Sequence, residues 1–131
     1  MKFSPHSLAT DRARAKGLGS AKSGTVHFLH ERVTSVALVP LTILFVIALI
    51  ALAGADFVRA VAILRNPVVG LTFLAFVLVG VYHMKIGMQV VIEDYVPAEG
   101  AKIVLLLLNT FFSALLALAG VYAIARITLG S

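Results

Sequence analysis

The sequence has 131 residues, of which 60% are hydrophobic and 13% charged. Soluble domains carry about 45–50% apolar and about 25% charged residues, so a water-solvated globular core is excluded and a membrane solvent is indicated. With no Cys, the chain builds no disulfide, no iron–sulfur cluster and no thiolate metal site of its own.

The net charge of +5 is unevenly spread. Lys2, Arg12, Arg14, Lys16, Lys22 and Arg32 all precede the first long apolar run. Basic tails can serve nucleic acid or anionic surfaces. Beside a membrane segment this one reads as a topology signal, and no nucleic-acid partner is expected.

Residues 1–32 form a polar segment without an apolar run long enough for a signal-peptide core. Val33–Ala55 is the first uncharged apolar run, followed by Asn66–Met84, which continues past Lys85 to Ile92, and by Ile103–Ala125. About 20 helical residues span a hydrocarbon core, so each run qualifies. Helices are expected because every backbone amide must be satisfied inside the bilayer. The expected fold is an all-α membrane protein with a polar cytoplasmic N-terminal tail and three transmembrane helices at about 33–55, 67–93 and 103–126. The short connections make neighbouring helices antiparallel. Pro67 suits the first turn of its helix, Pro97 marks a break, and Pro40 predicts a local kink. The six basic residues of the tail and Lys102 place the N-terminus and the 93–102 loop in the cytoplasm, with Arg59, Arg65 and Arg126 on the other side.

His83 is the informative polar residue. It lies about nine residues inside the second run, and an ionisable side chain at that depth is uncommon. Two roles suit it: a neutral imidazole bonded to a neighbouring helix, or an axial ligand of a haem iron. Gly80, Gly87 and Asp94 project within roughly 60° of it on a helix. The two glycines clear room for a flat group, or equally for the close approach of another helix. His6, His27 and His30 all precede the first expected helix, too far in depth to share an iron with His83. A haem would therefore need a ligand from a partner chain.

Asp94 and Tyr95 come where the second helix meets the cytoplasmic interface. They are either a solvated acid and an interfacial tyrosine, or part of a quinone site in which the phenol donates to a carbonyl oxygen. Arg32 is either a positive-inside anchor or a clamp on a propionate or near a quinone. Lys85 lies about 200° from His83 and points away from it.

Two stretches carry a family resemblance. Ser20-Ala21-Lys22-Ser23-Gly24-Thr25 through His27, continued by Glu31-Arg32-Val33-Thr34-Ser35-Val36-Ala37, resembles the N-terminal signature of the hydrophobic membrane-anchor subunit of succinate dehydrogenase, the cytochrome b small-subunit family. His83 to Val96, with Gly87 and the pair Asp94-Tyr95, is similar to that family's second signature. The resemblance covers about residues 20–126. It implies that His83 is an axial ligand of haem b, with the second histidine from a companion cytochrome b-type anchor. It further implies that Tyr95 hydrogen-bonds ubiquinone, that Asp94 orders an arginine of the companion anchor, and that Arg32 lies near the haem propionates. Leu29 and Glu31 depart from the family's usual aromatic and Gln.

The function so implied is a non-catalytic anchor in succinate:ubiquinone oxidoreductase, docking a flavoprotein and an iron–sulfur subunit at the bacterial inner membrane. The alternatives are the anchor of another b-type membrane oxidoreductase and a redox-inactive scaffold.

Overall fold

A computed structural model describes residues 22–130. Among them are four helices and no strand: α1 Lys22–Ala53, α2 Phe57–Arg65, α3 Pro67–Tyr95 and α4 Glu99–Thr128. Three stretches, Gly24–Ala53, Pro67–Tyr95 and Glu99–Thr128, are long and apolar enough to cross a membrane. The chain is a multi-pass all-α membrane protein. The part of the expected polar tail at 1–21 lies outside the described residues.

The helices outrun the apolar stretches that announce them. α1 begins at Lys22 rather than Val33, so residues 22–32 are its first turns and not a separate polar segment. The reason is physical: hydropathy marks the part of a helix that lies in hydrocarbon, whereas backbone hydrogen bonding carries the helix on into the interface. α3 and α4 likewise extend to Tyr95 and to Thr128.

The short connection between the first two spans holds α2. The Asp56 carboxylate caps it, accepting from the Arg59 N–H at 2.9 Å. Asn66 serves two helices at once. Its N–H closes α2 on the Ile63 carbonyl, and its side-chain oxygen accepts from Val68 N–H at 2.9 Å to open α3. Pro67 takes the first position of α3, where a missing N–H costs nothing. Arg65 then donates to the carbonyls of Ile127 and Gly130, tying this corner to the end of α4.

α3 is central. It packs on α1 and on α4, while the backbones of α1 and α4 stay apart among the described residues. Both pairings are antiparallel. Along α1 and α3, Thr34 meets His83, Leu38 comes near Gly80, and Phe45 stacks on Phe76 with ring centroids 4.1 Å apart. Along α3 and α4, Gly70 faces Thr128, Val77 faces Gly120, and Asn109 donates to the Lys85 carbonyl at 2.9 Å.

Lipid tails are as apolar as leucine, so helices associate in a membrane through close packing and polar contacts instead of the hydrophobic effect. The α3–α4 seam follows that rule. A Cβ added at Gly120 would lie 2.6 Å from Val77 Cγ1, and one at Gly70 would lie 2.8 Å from Thr128 Cγ2. The opposing atoms belong to short branched side chains, which have little freedom to yield. Buried apolar side chains are few, namely Ala48, Ile86 and Ile92, and most large hydrophobic residues face outward.

Gly120→Val should force α3 and α4 apart and destabilise the bundle by about 1–3 kcal/mol, the usual range for overpacking. Gly100→Ala, with nothing within 4 Å of the new methyl, should be neutral or slightly stabilising. Thermal unfolding of the two variants in one detergent checks the contrast.

Candidate functional site

His83 sits on the flank of α3 that faces α1 and is half-buried there. Its Nδ1 lies 2.9 Å from the Thr34 hydroxyl oxygen. The same hydroxyl lies 2.8 Å from the His30 carbonyl and 3.1 Å from the Glu31 carbonyl, one turn back along α1. Carbonyls only accept, and a threonine hydroxyl has one proton. The hydroxyl can donate to one of these groups only, and with its proton on the His30 carbonyl it can accept from the imidazole. The Nε2 of His83 has no hydrogen-bond partner among the described residues.

The glycines beside His83 behave differently from those of the α3–α4 seam. A Cβ at Gly80 would meet only Leu38 Cδ2, at 4.0 Å, and one at Gly87 would meet nothing within 4 Å. Among the described residues neither glycine serves a close helix approach. They leave open space above and below the imidazole. An imidazole with an unpartnered Nε2 between two such openings fits one face of a haem. Among the described residues no three His, Asp or Glu side chains gather as a metal site, so His83 would bring a single ligand.

A second polar contact lies one step along the same seam. The Tyr82 hydroxyl is 2.8 Å from His30 Nδ1. This corrects the separation expected between the histidines. Because α1 begins at Lys22, His30 is within the helix and only one turn, about 6 Å, from Thr34, which is level with His83. What sets His30 apart is its engagement with Tyr82. His27 is half-buried closer to the end of α1, with Nε2 buried and unbonded among the described residues.

Arg32 does not head a helix but lies well inside α1. Two residues from Thr34, it projects about 160° away from the His83 side. It is exposed, and its guanidinium carbon lies 5.0 Å from the Phe28 ring centroid, a cation–π contact one turn back. Asp94 and Tyr95 end α3, about 18 Å along the axis from His83. Both are exposed, Tyr95 at 79%. Among the described residues no hydrogen bond or ion pair joins Arg32, His83, Asp94 and Tyr95 to one another. The chain thus holds His83 in place on α1 and leaves the other three facing away from its own helices.

The family model of succinate dehydrogenase/fumarate reductase transmembrane subunits matches residues 7–117. The chain belongs to that family. It is 37% identical over 122 residues to the succinate dehydrogenase hydrophobic membrane anchor subunit of Paracoccus denitrificans, covering 93% of this chain and 94% of that one. The protein of the same name from Rickettsia bellii is 33% identical over 111 residues, covering 85% and 89%. The one from Rickettsia conorii is 30% identical over 113 residues, covering 85% and 89%. No solved structure matches the chain. The resemblance carried by the two sequence signatures is borne out at the level of the family.

Of the polar contacts in this succinate dehydrogenase/fumarate reductase family member, sequence reasoning missed the roles of Thr34, Tyr82 and Asn109. Asn109 had a visible signal, a lone amide in the middle of an apolar run. Thr34 and Tyr82 had none, because a threonine at the edge of a span and a tyrosine in one are ordinary until the register of α1 on α3 is known.

Proposed function

We propose that this chain is the hydrophobic membrane anchor of a succinate:ubiquinone oxidoreductase, respiratory complex II. Its place would be the bacterial inner membrane, with the N-terminus cytoplasmic. It would catalyse nothing alone. With a companion cytochrome b-type anchor it would dock the iron–sulfur and flavoprotein subunits and shape the haem b and quinone sites. The curated relatives bear the name succinate dehydrogenase, which favours succinate oxidation over fumarate reduction within the family.

The observation that carries this reading is His83: an imidazole within a membrane span, bonded at Nδ1 and open at Nε2, in a chain of this family. His83 would hold the iron of haem b through Nε2, together with a residue of the companion anchor. Haem b, when bound, supplies a one-electron redox centre in the span. Arg32, outward on α1, would set its guanidinium against a propionate carboxylate.

Tyr95 and Asp94 would act on quinone at the cytoplasmic end of α3. Reduction of a quinone to a quinol takes two electrons and two protons. The Tyr95 hydroxyl would donate a hydrogen bond to a quinone carbonyl oxygen, favouring the negative charge that develops there as electrons arrive. Protons would come from water, which reaches this exposed end directly. Asp94 would hold an arginine of the companion anchor beside the same oxygen.

In the intact complex, His83→Ala should abolish or alter the b-type band in the reduced-minus-oxidised spectrum while the three spans still insert. An unchanged band in an ordered complex would remove His83 from the iron. Tyr95→Phe should slow quinone reduction by up to about 100-fold, the scale for loss of one aimed donor. Succinate oxidation by an artificial acceptor should stay at wild-type rate. Equal loss of both activities would mean that Tyr95 serves assembly instead.

A further inference from the structure

We propose that Thr34 is a positioning residue for the metal-facing nitrogen of His83, fixing by one hydrogen bond which tautomer the imidazole adopts. The inference rests on the haem reading above and extends it to a residue with no contact to the cofactor.

Thr34 Oγ1 has three polar neighbours: His30 O at 2.8 Å, Glu31 O at 3.1 Å and His83 Nδ1 at 2.9 Å. Both carbonyls lie inside α1 and accept backbone N–H groups of that helix, and the Glu31 carbonyl also accepts from Ser35 Oγ, so the single hydroxyl hydrogen can go back to the His30 carbonyl or across to His83. When the proton goes to His30, the nearest acceptor at 2.8 Å, the hydroxyl oxygen accepts from His83 Nδ1. A neutral imidazole carries one N–H, so placing it on Nδ1 leaves the lone pair on Nε2. Nitrogen can ligate a metal only through that lone pair. In the other tautomer Nε2 would bear the hydrogen and could not bind.

Position reinforces the chemistry. Ligating histidines commonly donate their second ring N–H to a carboxylate, carbonyl or water, which fixes the ring and raises its basicity. Among the described residues no carboxylate or backbone carbonyl takes that role for His83. The acceptor is a β-branched side chain on a different helix, itself pinned to the turn behind it. Because α1 packs on α3 while its backbone stays apart from that of α4, the bond also sets the rotation of α3 against α1 at the level of His83. A valine at 34 would keep the shape and lose the acceptor, leaving Nδ1 unsatisfied in a half-buried seam. A serine would keep the acceptor.

The test compares Thr34→Val, Thr34→Ser and His83→Ala in the intact complex purified from membranes. Haem retention, the optical spectrum and the midpoint potential are measured, together with the 15N spectrum of histidine-labelled protein. Thr34→Val should weaken haem retention by about 10–100-fold, the range seen when such an outer partner is removed. It should also shift the potential and move the His83 resonances away from the Nδ1–H form. Thr34→Ser should retain wild-type values in all of these.

If His83→Ala changes the b-type band but Thr34→Val leaves retention, potential and tautomer untouched, the Thr34 inference is overturned and the haem reading stands. If His83→Ala leaves the band unchanged, the haem reading fails and this inference falls with it. If Thr34→Ser behaves like Thr34→Val, side-chain shape and not the hydroxyl is responsible, which also overturns it.

Discussion

The arrangement depends on α3 being the one long helix that packs on both others. In a bilayer no hydrophobic force gathers helices, so each seam must be held by shape or by polar groups that find each other. α3 meets that demand differently on its two flanks. Toward α4 it offers Gly70 and Val77 to Thr128 and Gly120, and the Lys85 carbonyl to Asn109. Toward α1 it offers His83 to Thr34 and Tyr82 to His30, with Phe73 and Phe76 against Phe45. Close backbone packing fastens one side. On the other, polar side chains and rings do so and leave space between them.

That division follows from angle. His83 and Lys85 are two residues apart, hence about 160° apart around the helix, the smaller arc between them. The two interhelical polar contacts made at these positions therefore fall on opposite flanks. The glycines divide in the same way. Gly70 is buried under α4, whereas Gly80 and Gly87 lie by the histidine and touch little. The sequence alone left both uses open for Gly80 and Gly87. Contacts of the neighbouring helices are what separate them.

Hydropathy made the three spans legible because the bilayer imposes a length and forbids unsatisfied backbone. It did not make the helix ends legible, since Lys22 to Arg32 is polar and helical at once. α2 escaped because nine residues between two spans resemble a loop in any hydropathy reading. Its signals, Asp56 at the cap and Asn66 shared between two helices, are local and quiet. The depth of His83 was legible from one helix alone. Its partner was not, because Thr34 is 49 residues away and reaches it only through the register of α1 on α3. Arg32 could be named from its motif, but its outward direction required α1 to be seen as one helix that already contains it.

The outward direction of Arg32 and the exposure of Tyr95 bear on what a layer of three helices can do alone. A flat cofactor needs ligands or walls on two faces, and α3 with α1 furnishes one. A quinone needs an apolar slot with a few aimed polar groups. Tyr95 has the polar group but stands in the open at the end of α3. His83 and Tyr95 each have this chain on one side only, and α1 and α4, whose backbones stay apart among the described residues, leave an opening between them along α3. A companion helical chain laid across that opening would supply the missing side of each. The residues that α3 and α1 hold inward, His83 and Thr34, are those whose geometry this chain can set by itself. Arg32, Asp94 and Tyr95 are exposed and make no hydrogen bond or ion pair with one another or with His83 among the described residues.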